Sequence, residues 1–263
     1  MLSSENQKKY LERIGLKEHQ EVCLSSLAQL QEAHLCHVPF ENFDVTFQRE
    51  IELDAKRIFQ KVVHHRRGGF CYELNYNFYR LLKSLNYSVQ LISAQVLHGK
   101  TFGAEFDHLA LLVDLEDVLY LVDVGFGNFS SNPINLSRLK VSENIAFKVD
   151  FDGEFYTLFE LNEKHQWQVQ YQFTLQPRCL KQFSKMCVHH QTSTQSPFTK
   201  KSLCTITTEK GYTYLSNNQL VRVEYGQKIS QTIDDEFQLE FILQETFGVS
   251  LPKEYDRKIL LRN

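Results

Sequence analysis

The stretch Arg66-Arg67-Gly68-Gly69-Phe70-Cys71-Tyr72-Glu73-Leu74-Asn75 decides how the rest of the chain is read. Two glycines and an aromatic lead into a cysteine, and apolar residues follow at Leu74, Phe78, Leu81, Leu82 and Leu85. Steps of three and four put them on one helical face, so Cys71 is expected in the first turn of a buried helix. A thiol there meets the positive end of the helix dipole, which favours thiolate. Gly68 and Gly69 are expected to make a tight approach turn with positive φ and to leave room for a ligand near the backbone. Taken alone, the stretch fits a buried cysteine opening a core helix, because free cysteine is among the most buried residue types. A nucleophile needs partners from elsewhere.

The chain has 263 residues, 42% hydrophobic and 23% charged, the composition of an ordinary folded protein. That length suits one large domain or a few small ones sharing a core. A net charge of −3 gives no electrostatic basis for binding nucleic acid. The basic run His64-His65-Arg66-Arg67 is short and reads as a solvated helix end. Cys23, Cys36, Cys71, Cys179, Cys187 and Cys204 contain no CxxC pair and fit neither a disulfide framework nor a zinc site. No metal is expected. The N-terminus lacks an apolar signal region, and the aliphatic run Leu109 to Val113 is far too short to span a bilayer. A reduced, cytoplasmic protein without membrane partners is the expectation.

In chain order, Ser4 with Gln7 predicts a capping box for a first helix that stops near Gly15. A second helix is expected from about Glu18 to His34, and Asp54 is predicted to cap a third. Near Tyr87 the pattern turns to strands: Ser88 to Val96, His108 to Val113, Val118 to Val124, Ala146 to Leu161 and Trp167 to Phe173. This suggests an antiparallel barrel or sandwich. A polar connection follows from about Lys181 to Pro197. Further strands are expected at Leu203 to Thr207, Tyr212 to Leu215 and Gln219 to Tyr225. Thr232 and Asp235 then predict a capping box for a last helix through Phe237, Phe241, Ile242 and Phe247, stopped by Gly248.

The hairpin at 108–124 carries a geometric prediction. With Leu115 and Glu116 as its two turn residues, His108 lies directly opposite Asp123; a shift of the pairing by two leaves them diagonal on the same face. Opposed side chains have Cβ atoms about 4.5–5.5 Å apart, so an imidazole can meet a carboxylate. Both strands are otherwise apolar, and two buried polar groups can satisfy each other. The pair could simply tie the hairpin together. Joined to Cys71, it makes a nucleophile, a base and an orienting acid. The backbone N–H of Cys71, free at a helix start, is a candidate oxyanion donor. The short interval from cysteine to histidine does not match papain-type peptidases. Gly125-Phe126-Gly127 is not followed by Lys-Ser/Thr, which excludes a Walker phosphate loop. Arg67 and Glu73 are expected to hold the cysteine loop, and His64, His65, His189 and His190 to lie on the surface.

These residues resemble the arylamine N-acetyltransferases. The resemblance rests on Arg67-Gly68-Gly69-Phe70-Cys71 with Glu73 and Asn75, on His108, and on Val122-Asp123-Val124-Gly125-Phe126-Gly127. It extends to Val38-Pro39-Phe40-Glu41-Asn42 and to Gln191-Thr192-Ser193-Thr194-Gln195-Ser196, where Thr194 replaces a proline often found there. It implies an α+β fold with an N-terminal helical bundle, a central antiparallel β-barrel and a C-terminal α/β lid, around a core like that of cysteine proteases and transglutaminases. The expected regions are 1-86 with the nucleophile, 87-190 with His108 and Asp123, and 191-263 as the lid. It implies ping-pong acetylation of aromatic amines, hydrazines or N-hydroxyarylamines by acetyl-coenzyme A, with Cys71, His108 and Asp123 as catalytic residues. Phe40 and Phe126 would wall the acceptor pocket, and Gly125, Gly127 and Ser196 would neighbour coenzyme A. Two other classes remain open from the residues: another cysteine-triad chemistry (transglutaminase-like transfer, peptide hydrolysis or carrier-linked amide synthesis), and a non-enzymatic binding module.

Overall fold

The computed structural model describes residues 1–18, 21–137, 146–162 and 164–261. Around Cys71 the helices are α1 (Ser4–Arg13), α2 (Leu24–His37), the short α3 (Phe43–Thr46) and α4 (Ala55–Phe59), a π-helical turn over Gln60–His64, and α5 (Cys71–Ser84). α5 forms as its apolar period demands: Leu74, Phe78, Leu81 and Leu82 are fully buried. Asp54 caps α4 by accepting from Lys56 N and Arg57 N. The cap of α1 is Ser3, not Ser4, with its hydroxyl accepting from Asn6 N. Residues 19–20, within the expected start of the second helix, lie outside the described residues, and α2 begins at Leu24.

The strands β2 (Ser88–His98), β3 (Thr101–Phe102), β4 (His108–Leu115), β5 (Val118–Val122), β6 (Ile134–Asn135), β7 (Phe147–Phe151), β8 (Tyr156–Leu161) and β9 (Trp167–Phe173) form one antiparallel sheet. Its order is β6-β5-β4-β2-β9-β8-β7, and the end strands β6 and β7 meet, so the sheet curls into a nearly closed barrel. Alternation sorts the faces. Leu109, Leu111, Val113 and Val122 pack against the helices, whereas Ala110, Leu112, Leu121 and Tyr171 fill the barrel.

A second sheet pairs β1 (Phe40–Glu41) with β10 (Leu203–Thr208), then β11 (Gly211–Ser216), β12 (Gln219–Glu224) and β13 (Gln227–Thr232). α7 (Glu236–Glu245) covers it with Leu239, Ile242 and Leu243. Thr232 belongs to β13, a strand absent from the sequence expectation, and Asp235 alone caps α7 by accepting from Gln238 N. Phe237 and Phe241 face solvent, not the core. The supposed polar connection before the second sheet contains α6 (Ser184–Thr192), a helix that runs across the expected boundary at 190.

The hairpin turn sits one residue later than expected. Leu115 pairs with Val118, and Glu116 and Asp117 occupy the turn with φ of 53° and 62°. Both central residues of a type I′ turn need positive φ, which aspartate tolerates far better than leucine. His108 and Asp123 are therefore diagonal neighbours on the barrel-facing side, not directly opposed.

Candidate active site

Cys71 is the first residue of α5, and its approach is fixed by packing. Phe70 is extended (φ −73°, ψ 165°), and its N–H donates to Glu73 Oε2 at 2.9 Å. Gly68 and Gly69 do not have positive φ; the left-handed residue is Arg66 at 52°. The glycines are there for closeness: a Cβ on Gly68 would lie 2.0 Å from Pro39 O, and one on Gly69 would lie 2.7 Å from Glu73 Oε2. Glu73 and Arg67 hold the loop as expected, but within a buried network. Lys61 Nζ reaches Asp44 at 2.7 Å and Glu73 at 2.9 Å, and Arg67 reaches Glu41 at 2.8 Å and Asp44 at 2.9 Å. Burial pushes the Asp44 carboxyl up, yet Lys61 and Arg67 hold it well below the ordinary range. Arg67 is thus buried, unlike the exposed His64, His65 and Arg66 before it.

Cys71, His108 and Asp123 come together. His108 Nε2 lies 2.6 Å from Asp123 Oδ2, and the Cys71 thiol stands near enough to the imidazole to raise its proton affinity. With Nε2 engaged by the acid, Nδ1 is the ring nitrogen left for sulfur. Asp123 is fully buried and richly satisfied. Tyr171 OH donates to its Oδ2 at 3.1 Å, while Asn75 Nδ2 (2.8 Å) and Gly125 N (2.9 Å) donate to its Oδ1. Asn75 also donates to Leu109 O at 2.6 Å and accepts from Val124 N at 2.9 Å, clamping both hairpin strands to α5. Burial alone lowers an imidazole's proton affinity, but the Asp123 carboxylate, followed by Cys71, pushes His108 up to about 10. Burial, with the Asp123 charge added, keeps Tyr171 a neutral donor far above its ordinary value.

The His108 shift sets a pH dependence. A folded-state value above the ordinary 6.5 means that the imidazolium stabilises the fold fully below that value and loses this contribution as pH rises towards 10. The melting temperature of wild type is expected to fall more steeply between pH 7 and pH 10 than that of His108→Gln; thermal unfolding across that window checks it.

A cavity of about 390 Å³ opens over the thiol, with Phe40, Phe126, Phe198, His108, Gly125 and Gly127 among its lining. Phe40 stacks on Phe70 (6.0 Å, 17°), Phe198 lies 4.8 Å from Phe70, and Phe126 stands edge-on to His108 at 5.2 Å. Asn42 fastens the far wall by donating to Phe198 O and Lys201 O and accepting from Leu203 N. Gly125 is held close to the nucleophile, since a Cβ there would lie 2.7 Å from Cys71 Cα. Gly127 has φ of 92°. Ser196 does not line the cavity: it is buried, and its hydroxyl donates to His190 O and accepts from Phe198 N.

Sequence reasoning left Tyr171, His98 and Asp107 without a role and put His190 on the surface. His190 is buried against the cavity, held by Asp107 at 3.1 Å. Its neighbour His189 is exposed, as expected. One signal was available for His190, because helical spacing in α6 places it on the face of the buried Cys187. No signal reveals Tyr171, which arrives from another strand.

Comparison with known proteins agrees with this geometry. Residues 23–255 match the N-acetyltransferase family model. The chain is 29% identical to the chicken (Gallus gallus) arylamine N-acetyltransferase, pineal gland isozyme NAT-10, across 95% of this chain and 96% of that protein. The structure superposes on the arylamine N-acetyltransferase from Salmonella typhimurium with a TM-score of 0.89 at 26% identity, covering 99% of this chain and 97% of that one. It also superposes on one from Bacillus cereus, described as having a unique Cys-His-Glu catalytic triad, with a TM-score of 0.84 at 25% identity. There this chain covers all of the other while 95% of its own length is matched, and the carboxylate beside His108 in this chain is the shorter Asp123. Sequence and fold together make this chain a member of the arylamine N-acetyltransferase family.

Proposed function

We propose that the chain carries an acetyl group from acetyl-coenzyme A to an aromatic amine, hydrazine or N-hydroxyarylamine through a thioester on Cys71. The observation that carries this is His108, held by Asp123, sharing with the Cys71 thiol a cavity walled by aromatic rings. An imidazolium beside the sulfur stabilises thiolate. The thiolate attacks the acetyl carbonyl, coenzyme A leaves as its thiolate, and His108 gives it the proton. The acceptor nitrogen then attacks the thioester, His108 takes a proton from that nitrogen, and the Cys71 thiolate departs, which restores the ion pair. The proton cycle closes without a further acid or base. The backbone N–H of Cys71 serves as oxyanion donor.

Phe40 and Phe126, joined by Phe198, offer flat apolar walls to an aromatic acceptor. Gly125 and Gly127 leave the backbone open where the thioester of acetyl-coenzyme A arrives. The six cysteines are all free, which supports work in a reducing compartment. Among the described residues, no helix is long and apolar enough to cross a membrane.

Incubation with acetyl-coenzyme A alone, followed by peptide mass mapping, is expected to add one acetyl group at Cys71 and none at the exposed Cys179. The group should leave when an arylamine is added. Peptide hydrolysis independent of coenzyme A, with no adduct, would instead favour another triad chemistry.

A further inference from the structure

A second cluster of titratable groups lines the same cavity and has no part in the proton cycle above. Asp107 immediately precedes His108, and its carboxylate bridges two imidazoles. Oδ2 lies 2.8 Å from His98 Nε2, and Oδ1 lies 3.1 Å from His190 Nε2. Val96 N also donates to Oδ2, and the Asp107 backbone oxygen accepts from Tyr72 OH at 3.0 Å. His98, Asp107 and His190 all line the cavity that holds Cys71 and His108.

Several features show that the cluster is built. A Cβ on Gly103 would lie 2.3 Å from Asp107 Oδ2, so a glycine makes room for the carboxylate. Phe106 holds a φ of 70°, a left-handed conformation that costs free energy for an aromatic residue, immediately before Asp107. Asp107 and His190 are both buried, while His98 is about half exposed at 45%. His190 Nδ1 is buried and has no hydrogen-bond partner. A buried polar atom without a partner is uncommon enough to require a reason.

The chemistry of the cluster selects its ligand. His98 directs Nε2 at the Asp107 carboxylate, and His190 directs Nε2 at the Asp107 backbone oxygen and Oδ1, both at 3.1 Å, so each ring carries Nε2–H and leaves Nδ1 as a lone-pair acceptor. Burial pushes the Asp107 carboxyl up, but hydrogen bonds from His190 and His98 bring it below its ordinary value, so the centre of the cluster stays anionic. Such a wall repels a carboxylate; the exposed His98 ring accepts from O–H or N–H directly, and the buried His190 Nδ1 does so once a ligand displaces the packing over it. Both Nε2 atoms are spent on Asp107, and no group of residues suited to a metal ion occurs among the described residues.

We propose that His98, Asp107 and His190 form a polar subsite of the acceptor cleft that receives a second hydrogen-bond donor on the acceptor, a ring hydroxyl or N–H remote from the amine being acetylated. This rests on the arylamine reading and narrows it to donor-bearing arylamines. His98 and His190 are the specificity-determining residues, and Asp107 positions them.

The test compares kcat/KM for meta- and para-aminophenol with the matching anisidines, whose methoxy group keeps the ring oxygen and its electronic push but replaces the donor hydrogen with a methyl, and with the fluoroanilines, which lack the donor without added bulk. Wild type is expected to prefer at least one aminophenol over its anisidine by about tenfold or more, since a site with an unpaired polar group discriminates against ligands that leave it unpaired. That ratio should fall towards one in His98→Leu and in His190→Phe. His98 is half exposed, so its variant serves if the buried His190 variant does not fold. A wild-type ratio near one for both isomers, or a ratio unchanged in His98→Leu, overturns the proposal. So does a preference for para-aminobenzoate that the variants abolish, which would make the imidazoles cationic receptors. Failure of wild type to acetylate any arylamine would sink the acetyltransferase reading itself, a distinct result.

Discussion

Cys71→Ala is expected to remove acetyl transfer to arylamines by a factor on the order of 10⁴ or more, because no other group can carry the thioester. The other cysteines cannot replace it. Cys187 is pushed up to about 12 by burial, and burial also raises Cys204 and Cys36. Cys23 and Cys179 have no imidazole or acid beside them among the interactions described for them. The fold should persist, since alanine keeps the helical start and removes only one sulfur from a site 6% exposed. Steady-state turnover and intact mass after incubation with acetyl-coenzyme A measure this together. Residual turnover near the wild-type rate, or an adduct of wild-type stoichiometry, would show that sulfur at position 71 is not the acyl carrier.

Asp123→Asn probes the electrostatics with almost no change in shape, and a loss of roughly 10³–10⁴ in kcat/KM is expected. The carboxylate accepts four hydrogen bonds, from His108, Tyr171, Asn75 and Gly125. An amide can keep its oxygen towards Asn75 and Gly125, but its NH₂ then points at His108 and Tyr171. Tyr171 can rotate its hydroxyl hydrogen away. His108 must turn Nε2 into an acceptor, which moves the ring proton to Nδ1, the atom needed as base towards sulfur. The tautomer is wrong and the imidazolium has lost its counter-charge. Iodoacetamide should therefore alkylate Cys71 far more slowly in the variant, while circular dichroism stays native. Wild-type turnover in Asp123→Asn would defeat the triad assignment.

The parts of the site legible in the sequence are those set by local period and hairpin pairing. Leu74, Phe78, Leu81 and Leu82 announce α5 and place Cys71 at its start, and the two apolar runs announce β4 and β5. The face shared by His108 and Asp123 survived a register error, because moving the turn to Glu116–Asp117 shifted the pairing by two and side-chain direction repeats with that period. The choice of turn residue was not legible from hydrophobic pattern, since it depends on which residue tolerates positive φ. Gly68 and Gly69 show another limit: a glycine needed for close packing against Pro39 and Glu73 looks the same in sequence as one needed for its φ. Tyr171 and Phe198 reach the site only through barrel closure and through contacts between distant segments, which no local pattern records, and the helical spacing that marks His190 as buried does not say against what. The misplaced Phe237 and Phe241 err the other way, since aromatic residues at helical spacing suggested burial where α7 leaves them in solvent.

Asn42 and Phe40 make the last wall of the cleft wait for the end of the chain. Asn42 is tied to Phe198 across 156 residues, and Phe40 pairs with Thr205 in the second sheet. During synthesis from the N-terminus, the thiol and its base can assemble well before the segment that closes over them has been made. Contacts of such separation carry a large loop-closure cost and form late. The aromatic wall over Cys71 is therefore the last part of the cleft that synthesis supplies.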